Sequence, residues 1–120
     1  MPYHVLVVED SELVTSAFRI LLEDAGYRVT IADSVSAMRA AASGGDVDLM
    51  LLDLTLPDGN GLDALEDLRA RGSAPATTVA MTGDTQPQTR ARCIEAGCAE
   101  VLIKPVSIKE LRRTIASLLA

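Results

Sequence analysis

Leu49-Met50-Leu51-Leu52-Asp53 is the stretch that decides the fold, because four large apolar residues run directly into a carboxylate. An unbroken apolar run bounded by turn residues predicts a strand that is buried on both faces. The turn follows at once, in a segment rich in proline, glycine and asparagine at 54–61. Burying an unpaired carboxylate is costly. We therefore expect Asp53 at the open carboxyl end of a parallel strand, where α/β proteins bind their ligands.

Strands and helices alternate along the rest of the chain. Short apolar runs predict four further strands, at His4–Val8, Tyr27–Ile31, Thr77–Met81 and Glu100–Ile103. Apolar residues at helical spacing predict five helices, at Glu12–Ala25, Val35–Ser43, Leu62–Ala70, Pro87–Ala96 and after Ser107. Strict alternation of this kind predicts an α/β fold, with a parallel sheet covered by helices on both faces. We expect one domain over residues 1–120.

Each helix is expected to pack one apolar face on the sheet. The apolar positions of the first helix are Leu13, Val14, Ala17, Phe18, Ile20, Leu21 and Leu22. Those of the last helix are Ile108, Leu111, Ile115, Leu118 and Leu119. Serine is a strong helix-capping residue, so we expect caps at Ser11, Ser34 and Ser107.

Composition and charge exclude several classes of function. A formal net charge of −6 argues against direct binding to nucleic acid. The chain contains neither an apolar stretch of membrane-spanning length nor the pattern of a signal peptide, so we expect a cytoplasmic domain without membrane contact. In that compartment Cys93 and Cys98 are expected to be thiols. A metal pair is the less favoured alternative, since no histidine or further cysteine lies near them.

Polar residues follow four of the predicted strands at the point where each strand ends. Glu9 and Asp10 follow the first strand, Asp53 ends the third, Thr82 follows the fourth, and Lys104 follows the fifth. Carboxyl ends of parallel strands share one edge of the sheet, so these side chains should face one crevice. Each residue alone has an ordinary explanation as a cap, a turn residue or a solvated side chain. Their coincidence at four strand ends favours a site.

This set of side chains predicts chemistry with a divalent cation and phosphate. Three carboxylates without histidine or cysteine favour Mg²⁺. A carboxylate beside such a cation can attack phosphorus and form an acyl phosphate, while Lys104 and Thr82 contact the phosphoryl oxygens. Nothing in the set activates water strongly, so hydrolysis should be slow. That profile is typical of a timed switch rather than an enzyme acting on an external substrate.

The chain strongly resembles the receiver domains of two-component response regulators, the CheY-like superfamily. The resemblance covers nearly the whole chain and rests on Glu9-Asp10, on Asp53 with Pro57 and Gly61 at the family's offsets, on Thr82, and on Lys104-Pro105. It implies a flavodoxin-like, doubly wound (βα)₅ fold with five parallel strands in the order 2-1-3-4-5.

The resemblance also implies a phosphoacceptor and a metal site. Asp53 would take a phosphoryl group from a phosphohistidine on a sensor histidine kinase or a histidine phosphotransfer protein. Asp10, Asp53 and the backbone carbonyl of Thr55 would bind Mg²⁺, and Glu9 would assist through water.

Further roles follow from the same resemblance. Thr82 would be the switch hydroxyl and Lys104 the partner of the phosphoryl group, with a cis peptide bond between Lys104 and Pro105. Helix 4, strand 5 and helix 5 would form the output surface for a downstream output domain, a protein target or a homodimer. Val101 departs from the family, which usually carries an aromatic residue there, and so puts the usual relay in question. Gly83 stands where the family usually has alanine or another small residue.

Other interpretations stay open at this stage. A haloacid-dehalogenase-type phosphatase needs an acid two residues after its nucleophile, where this chain has Thr55, and a longer chain. A flavodoxin-like flavin binder carries its phosphate turn after the first strand, whereas 82–85 follows the fourth. Calcium loops starting at Asp53 or Asp58 lack the required glycine and glutamate. An interaction module that never takes phosphate is disfavoured by the intact polar set. The chain is either a stand-alone receiver or part of a longer regulator or hybrid kinase.

Overall fold

A computed structural model describes residues 2–119, so the ends of the predicted domain, Met1 and Ala120, lie outside the described residues. In that range, five strands form the main sheet: β1 (His4–Val8), β2 (Arg28–Ala32), β3 (Leu49–Asp53), β4 (Thr77–Thr82) and β5 (Glu100–Ile103). Five helices flank it: α1 (Glu12–Asp24), α2 (Val35–Ala42), α3 (Gly61–Ala70), α4 (Pro87–Glu95) and α5 (Ile108–Leu119). None of these helices is long and apolar enough to cross a membrane.

The main sheet is parallel throughout, with the strand order β2-β1-β3-β4-β5. Asp53 lies opposite Met81 in the β3–β4 pair, and Thr82 lies opposite Ile103 in the β4–β5 pair. The predicted fold class is therefore confirmed. The register brings the residues that end β3, β4 and β5 to one edge of the sheet.

The apolar run of β3 is unbroken because both faces of the strand are covered. Leu49 and Leu51 pack in the layer of α1 and α5, whereas Met50 and Leu52 pack in the layer of α2 and α3. All four side chains are fully buried. Burying a side chain of this size contributes about 1.5–3 kcal/mol. The strand that carries Asp53 is thus anchored in the middle of the core.

Helix caps fix where the helices begin. The side chain of Ser11 accepts a hydrogen bond from the backbone N–H of Val14, and Ser34 accepts one from that of Ala37. Ser107 caps α5 through the N–H of Glu110. The three predicted caps are confirmed.

The buried face of α1 is narrower than the sequence predicted. Phe18 and Leu22 are buried, but Leu13 is 84% exposed, Ile20 is 71% exposed, and Ala17 is also exposed. A helix lying on a sheet buries a single stripe of residues spaced three and four apart. Phe18 and Leu22 occupy that stripe, so the prediction that Leu13, Ala17 and Ile20 join it is wrong.

Ile108 also departs from its predicted burial and is 55% exposed. It is the first residue of α5, beyond the end of β5. There it lines a groove of about 510 Å³ between α1 and the segment from β5 to α5, together with Leu13, Phe18 and Pro105. The groove also reaches Glu9 and Lys104.

The connection from β3 to α3 is more regular than the predicted turn. Residues Thr55–Leu56 and Gly59–Asn60 pair as a two-residue antiparallel hairpin that lies outside the main sheet. At the tip, the Asp58 carboxylate accepts hydrogen bonds from the backbone N–H groups of Val35 (2.7 Å) and Ser36 (3.1 Å). Both hydrogen bonds lower the pKa of Asp58, and the bond from Val35 has the larger effect. The hairpin thereby joins the segment after β3 to the start of α2.

Candidate functional site

Asp53 lies at the carboxyl end of β3 with its side chain almost enclosed. It is 3% exposed, and its Oδ1 accepts a hydrogen bond of 3.1 Å from the backbone N–H of Thr55. The backbone N–H of Leu54, the residue between Asp53 and Thr55, donates to the carbonyl of Met81 on β4 at 3.1 Å. Gly61 approaches the carbonyl oxygen of Asp53 so closely that a Cβ there would collide with it. The backbone around the turn therefore fixes the direction of the carboxylate.

Lys104 supplies the counter-charge at this edge of the sheet. Its Nζ lies 2.9 Å from Oδ2 of Asp53 and 3.1 Å from Oε2 of Glu9. The backbone N–H of Lys104 donates to the carbonyl of Thr82 at 2.8 Å, which continues the pairing of β4 and β5. The peptide bond between Lys104 and Pro105 is cis, as the resemblance implies.

Burial and ion pairing act in opposite directions on these groups. Burial raises the pKa of Glu9, and the charge of Asp53 adds to this, while the hydrogen bond from Lys104 partly offsets it. Burial lowers the pKa of Lys104, but its bonds to Asp53 and Glu9 outweigh that effect and the net pKa is raised. Lys104 therefore stays charged and compensates carboxylates that would otherwise be buried without a partner.

Glu9, Asp10 and Asp53 form a candidate cation site. One carboxylate oxygen of each residue lies within 4.8 Å of those of the other two. Two oxygens on opposite sides of Mg²⁺, each bound at about 2 Å, are about 4 Å apart, so the cluster is close to ligand spacing. Asp10 is exposed whereas the other two are buried, which leaves one side open for the waters that Mg²⁺ keeps. The residues present thus fit this cation.

Thr82 ends β4 and is connected to the start of α4 through Asp84. The hydroxyl oxygen of Thr82 accepts a hydrogen bond of 3.0 Å from the backbone N–H of Asp84. The Asp84 carboxylate accepts one bond from the N–H of Gln86 (2.8 Å) and another from the hydroxyl of Thr89 (2.6 Å). Both bonds lower the pKa of Asp84, and the bond from the Thr89 hydroxyl has the larger effect.

Sequence reasoning missed Asp84 and Thr89. An aspartate two residues before a helix N-cap, followed by a threonine in the first turn, is the signal that would have found them, because both side chains readily bond to nearby backbone or hydroxyl groups.

Val101 fills the place where the family usually has an aromatic residue, and it does so inside the core. It is 6% exposed and belongs to the apolar layer that includes Ala80 and Cys93. Its neighbour Glu100 lies 3.6 Å from Arg90 of α4. Gly83, by contrast, is exposed and has open space around the position of a Cβ.

The structure brings Glu9, Asp10, Asp53 and Lys104 into one cluster and places Thr82 on the neighbouring strand. These positions agree with the predicted meeting of polar residues at the strand ends. Their roles in phosphorylation, in metal binding together with the carbonyl of Thr55, and in switching stay predictions.

Cys93 and Cys98 are buried thiols at the end of α4. The backbone N–H of Cys98 donates to the carbonyl of Cys93 at 2.9 Å across the helix end. Burial raises the pKa of both thiols, that of Cys98 to about 12. Protonated, enclosed thiols react slowly, so these two serve the core.

Comparison with known families settles the classification. A model of the family described as the response regulator receiver domain matches residues 5–116. The chain belongs to this family. This receiver is 32% identical over 119 residues to the TorCAD operon transcriptional regulatory protein TorR of Escherichia coli strain K12, covering 99% of this chain and 51% of that protein. It spans about half, or less, of the length of the curated relatives it matches.

Solved receiver domains share the fold. The non-phosphorylated receiver domain of HemR from Leptospira biflexa superposes with a TM-score of 0.89 at 31% identity, over 98% of this chain and 94% of that one. The receiver domain of sensor histidine kinase PA1611 from Pseudomonas aeruginosa PAO1, solved with magnesium in its active site cleft, gives 0.84 at 27% identity, over 99% and 98%.

Proposed function

We propose that this receiver takes a phosphoryl group from a phosphohistidine onto Asp53 in a Mg²⁺-dependent reaction and then switches the surface of α4, β5 and α5. The observation that carries the proposal is the 2.9 Å contact between the Asp53 carboxylate and the Lys104 ammonium, beside two further carboxylates. Membership of the response regulator receiver family supports it.

The transfer follows from the atoms around Asp53. A carboxylate oxygen attacks phosphorus, the P–O bond forms as the P–N bond to the donor imidazole breaks, and the electron pair returns to nitrogen, which takes up a proton. Lys104, already 2.9 Å from this carboxylate, donates to one phosphoryl oxygen, and the Thr82 hydroxyl donates to another.

Asp10, Asp53 and the backbone carbonyl of Thr55 would hold Mg²⁺, with Glu9 acting through water. The cation would neutralise charge on the phosphoryl oxygens. The support for this site is the spacing of the three carboxylates and the hard oxygen character of the set.

Loss of the phosphoryl group to water should be slow. Within the described residues, Glu9 is paired with Lys104, and Asp10 would be occupied as a ligand of the cation, so an attacking water would lack a strong general base. The chain therefore acts as a phosphoacceptor that catalyses only its own phosphorylation and dephosphorylation, and not as an enzyme with an external substrate.

The phosphodonor is a sensor histidine kinase or a histidine phosphotransfer protein in the cytoplasm. The apolar groove between α1 and the start of α5 reaches Glu9 and Lys104, and Leu13 on its rim is 84% exposed. Exposed apolar patches beside a reactive group favour a protein contact.

The downstream partner that responds to phosphorylation is an output domain, a protein target or a second copy of this chain, bound at the surface of α4, β5 and α5. Neither nucleic acid nor membrane is contacted directly.

Acetyl phosphate tests the proposal without a kinase. Incubation with acetyl phosphate and Mg²⁺ should add the mass of one phosphoryl group to the wild type and to Asp33→Asn, an exposed aspartate after β2. It should add none to Asp53→Asn or to the wild type in EDTA. An unchanged wild-type mass would leave the interaction module as the function, and a gain in Asp53→Asn would contradict the assignment of the acceptor.

A further inference from the structure

The first turn of α4 makes few contacts with the rest of the molecule, among them an exposed ion pair of 3.6 Å between Arg90 and Glu100 of β5. Within Pro87–Glu95, the buried side chain is that of Cys93, near the carboxyl end of the helix. That end is also held by Arg69, whose guanidinium donates to the carbonyl of Ala96. The N-cap residue Gln86 makes no side-chain capping bond. The carboxyl end of α4 is thus fixed to the core, whereas its amino end is free to shift when the loop before it moves.

Asp84 and Thr89 supply the missing connection at the responsive end. Thr89 is half-buried in the first turn, and its hydroxyl donates to Oδ2 of Asp84 at 2.6 Å. The other oxygen of Asp84 accepts the N–H of Gln86, and the N–H of Asp84 donates to the Thr82 hydroxyl. An unbroken chain of hydrogen bonds therefore runs from the Thr82 side chain to α4.

This chain matters because Val101 offers no aromatic ring to change position. Val101 is buried and compact in the core layer beneath α4, and a β-branched side chain is stiff at χ1. A movement of Thr82 therefore needs another route to the surface.

We infer that the Asp84–Thr89 hydrogen bond transmits the state of Asp53 to α4, in place of an aromatic relay through residue 101. The inference rests on the proposed function, since it concerns how phosphorylation of Asp53 is sensed. When the Thr82 hydroxyl turns towards the phosphoryl group, the backbone N–H of Asp84, which donates to that hydroxyl, moves with it. Because the Asp84 carboxylate is hydrogen-bonded to the N–H of Gln86 and the hydroxyl of Thr89, the first turn of α4 moves together with the loop that follows β4. Asp84 and Thr89 are positioning residues here, and neither is expected to touch the phosphoryl group.

Amide chemical shifts test this coupling with beryllofluoride as the phosphoryl mimic. Shifts would be recorded with Mg²⁺, with and without beryllofluoride, for wild type, Thr89→Val, Thr89→Ser and Thr85→Val. Valine keeps the shape of threonine and removes the hydroxyl, and serine restores the hydroxyl. Thr85 is an exposed threonine of the same loop that lies outside the chain of bonds, so Thr85→Val is the matched control.

The expected result separates the site from the helix. Shift changes at Thr82 and Lys104 should be alike in all four proteins, whereas those across α4 should fall by about half or more in Thr89→Val alone. An α4 response in Thr89→Val equal to or larger than that of wild type would overturn the inference, as would its loss in Thr89→Ser. Absence of any shift at Thr82 and Lys104 in wild type would instead overturn the proposed function, and this inference with it.

Discussion

At the scale of single residues, the site is a balance of charge around one ammonium. Glu9 and Asp53 are each 3% exposed, and both lie within hydrogen-bonding distance of Lys104. Asp10 adds a third carboxylate that is exposed and lies within 4.8 Å of the other two. Without a cation, three acids share one lysine, so like-charge repulsion stays partly uncompensated.

We predict that Asp10→Asn stabilises the metal-free protein and weakens its response to Mg²⁺. Removing an exposed like charge should raise the free energy of unfolding by up to about 1 kcal/mol in EDTA. Mg²⁺ at about 100 times its dissociation constant should stabilise wild type by about 2.7 kcal/mol, and most of that gain should be lost in the variant. Urea unfolding with Mg²⁺ and with EDTA measures both effects.

Asp33→Asn is the control for this comparison, because Asp33 is also exposed but lies outside the carboxylate cluster. It should respond to Mg²⁺ as wild type does. An Asp10→Asn protein that Mg²⁺ stabilises as strongly as wild type would show that Asp10 is not a ligand.

At the scale of secondary-structure elements, the turn from β3 to α3 places Asp53. The N–H of Gly61 donates to the carbonyl of Leu54 at 2.9 Å. A Cβ on Gly61 would collide with the backbone carbonyl of Asp53 and come within 3.1 Å of the Cα of Leu54. A backbone oxygen cannot yield as the end of a flexible side chain can, so this glycine is required by close approach.

We therefore predict that Gly61→Ala lowers the free energy of unfolding by about 1–3 kcal/mol, the usual cost of overpacking, and slows phosphorylation by acetyl phosphate. Gly83→Ala is the matched control, since Gly83 is exposed and a Cβ there meets nothing within 4 Å. It should stay within about 0.5 kcal/mol of wild type. Denaturant unfolding of both variants measures this, and a stable Gly61→Ala protein would contradict the packing argument.

Strands, helices and caps were predicted correctly from the sequence where residues close together in the chain determine the structure. Buried strands such as Leu49–Asp53 and serine caps such as Ser34 follow from periodicity and from capping chemistry. Leu13 and Ile20 were assigned wrongly because α1 has more apolar residues than its single buried stripe accommodates. The capping of α2 by Asp58 was missed because the two partners are 23 residues apart in sequence and meet only once the hairpin is in place.

At the scale of the whole molecule, the site exists only because the sheet order brings separate strands together. Glu9, Asp53 and Lys104 follow or end three different strands, and Glu9 and Lys104 are 95 residues apart. Their meeting was predictable because parallel topology places every strand's carboxyl end at one edge. The connection from Thr82 through Asp84 to Thr89 was not, because it depends on side-chain hydrogen bonds that topology alone does not determine.

Mapping the phosphoryl group on the chain tests most directly whether Asp53 receives it. After treatment with acetyl phosphate and Mg²⁺, borohydride reduction converts an aspartyl phosphate to homoserine, which peptide sequencing by mass spectrometry locates. We predict homoserine at position 53 and aspartate retained at Asp10. Homoserine at another position, or a chain that stays unmodified, would contradict the account.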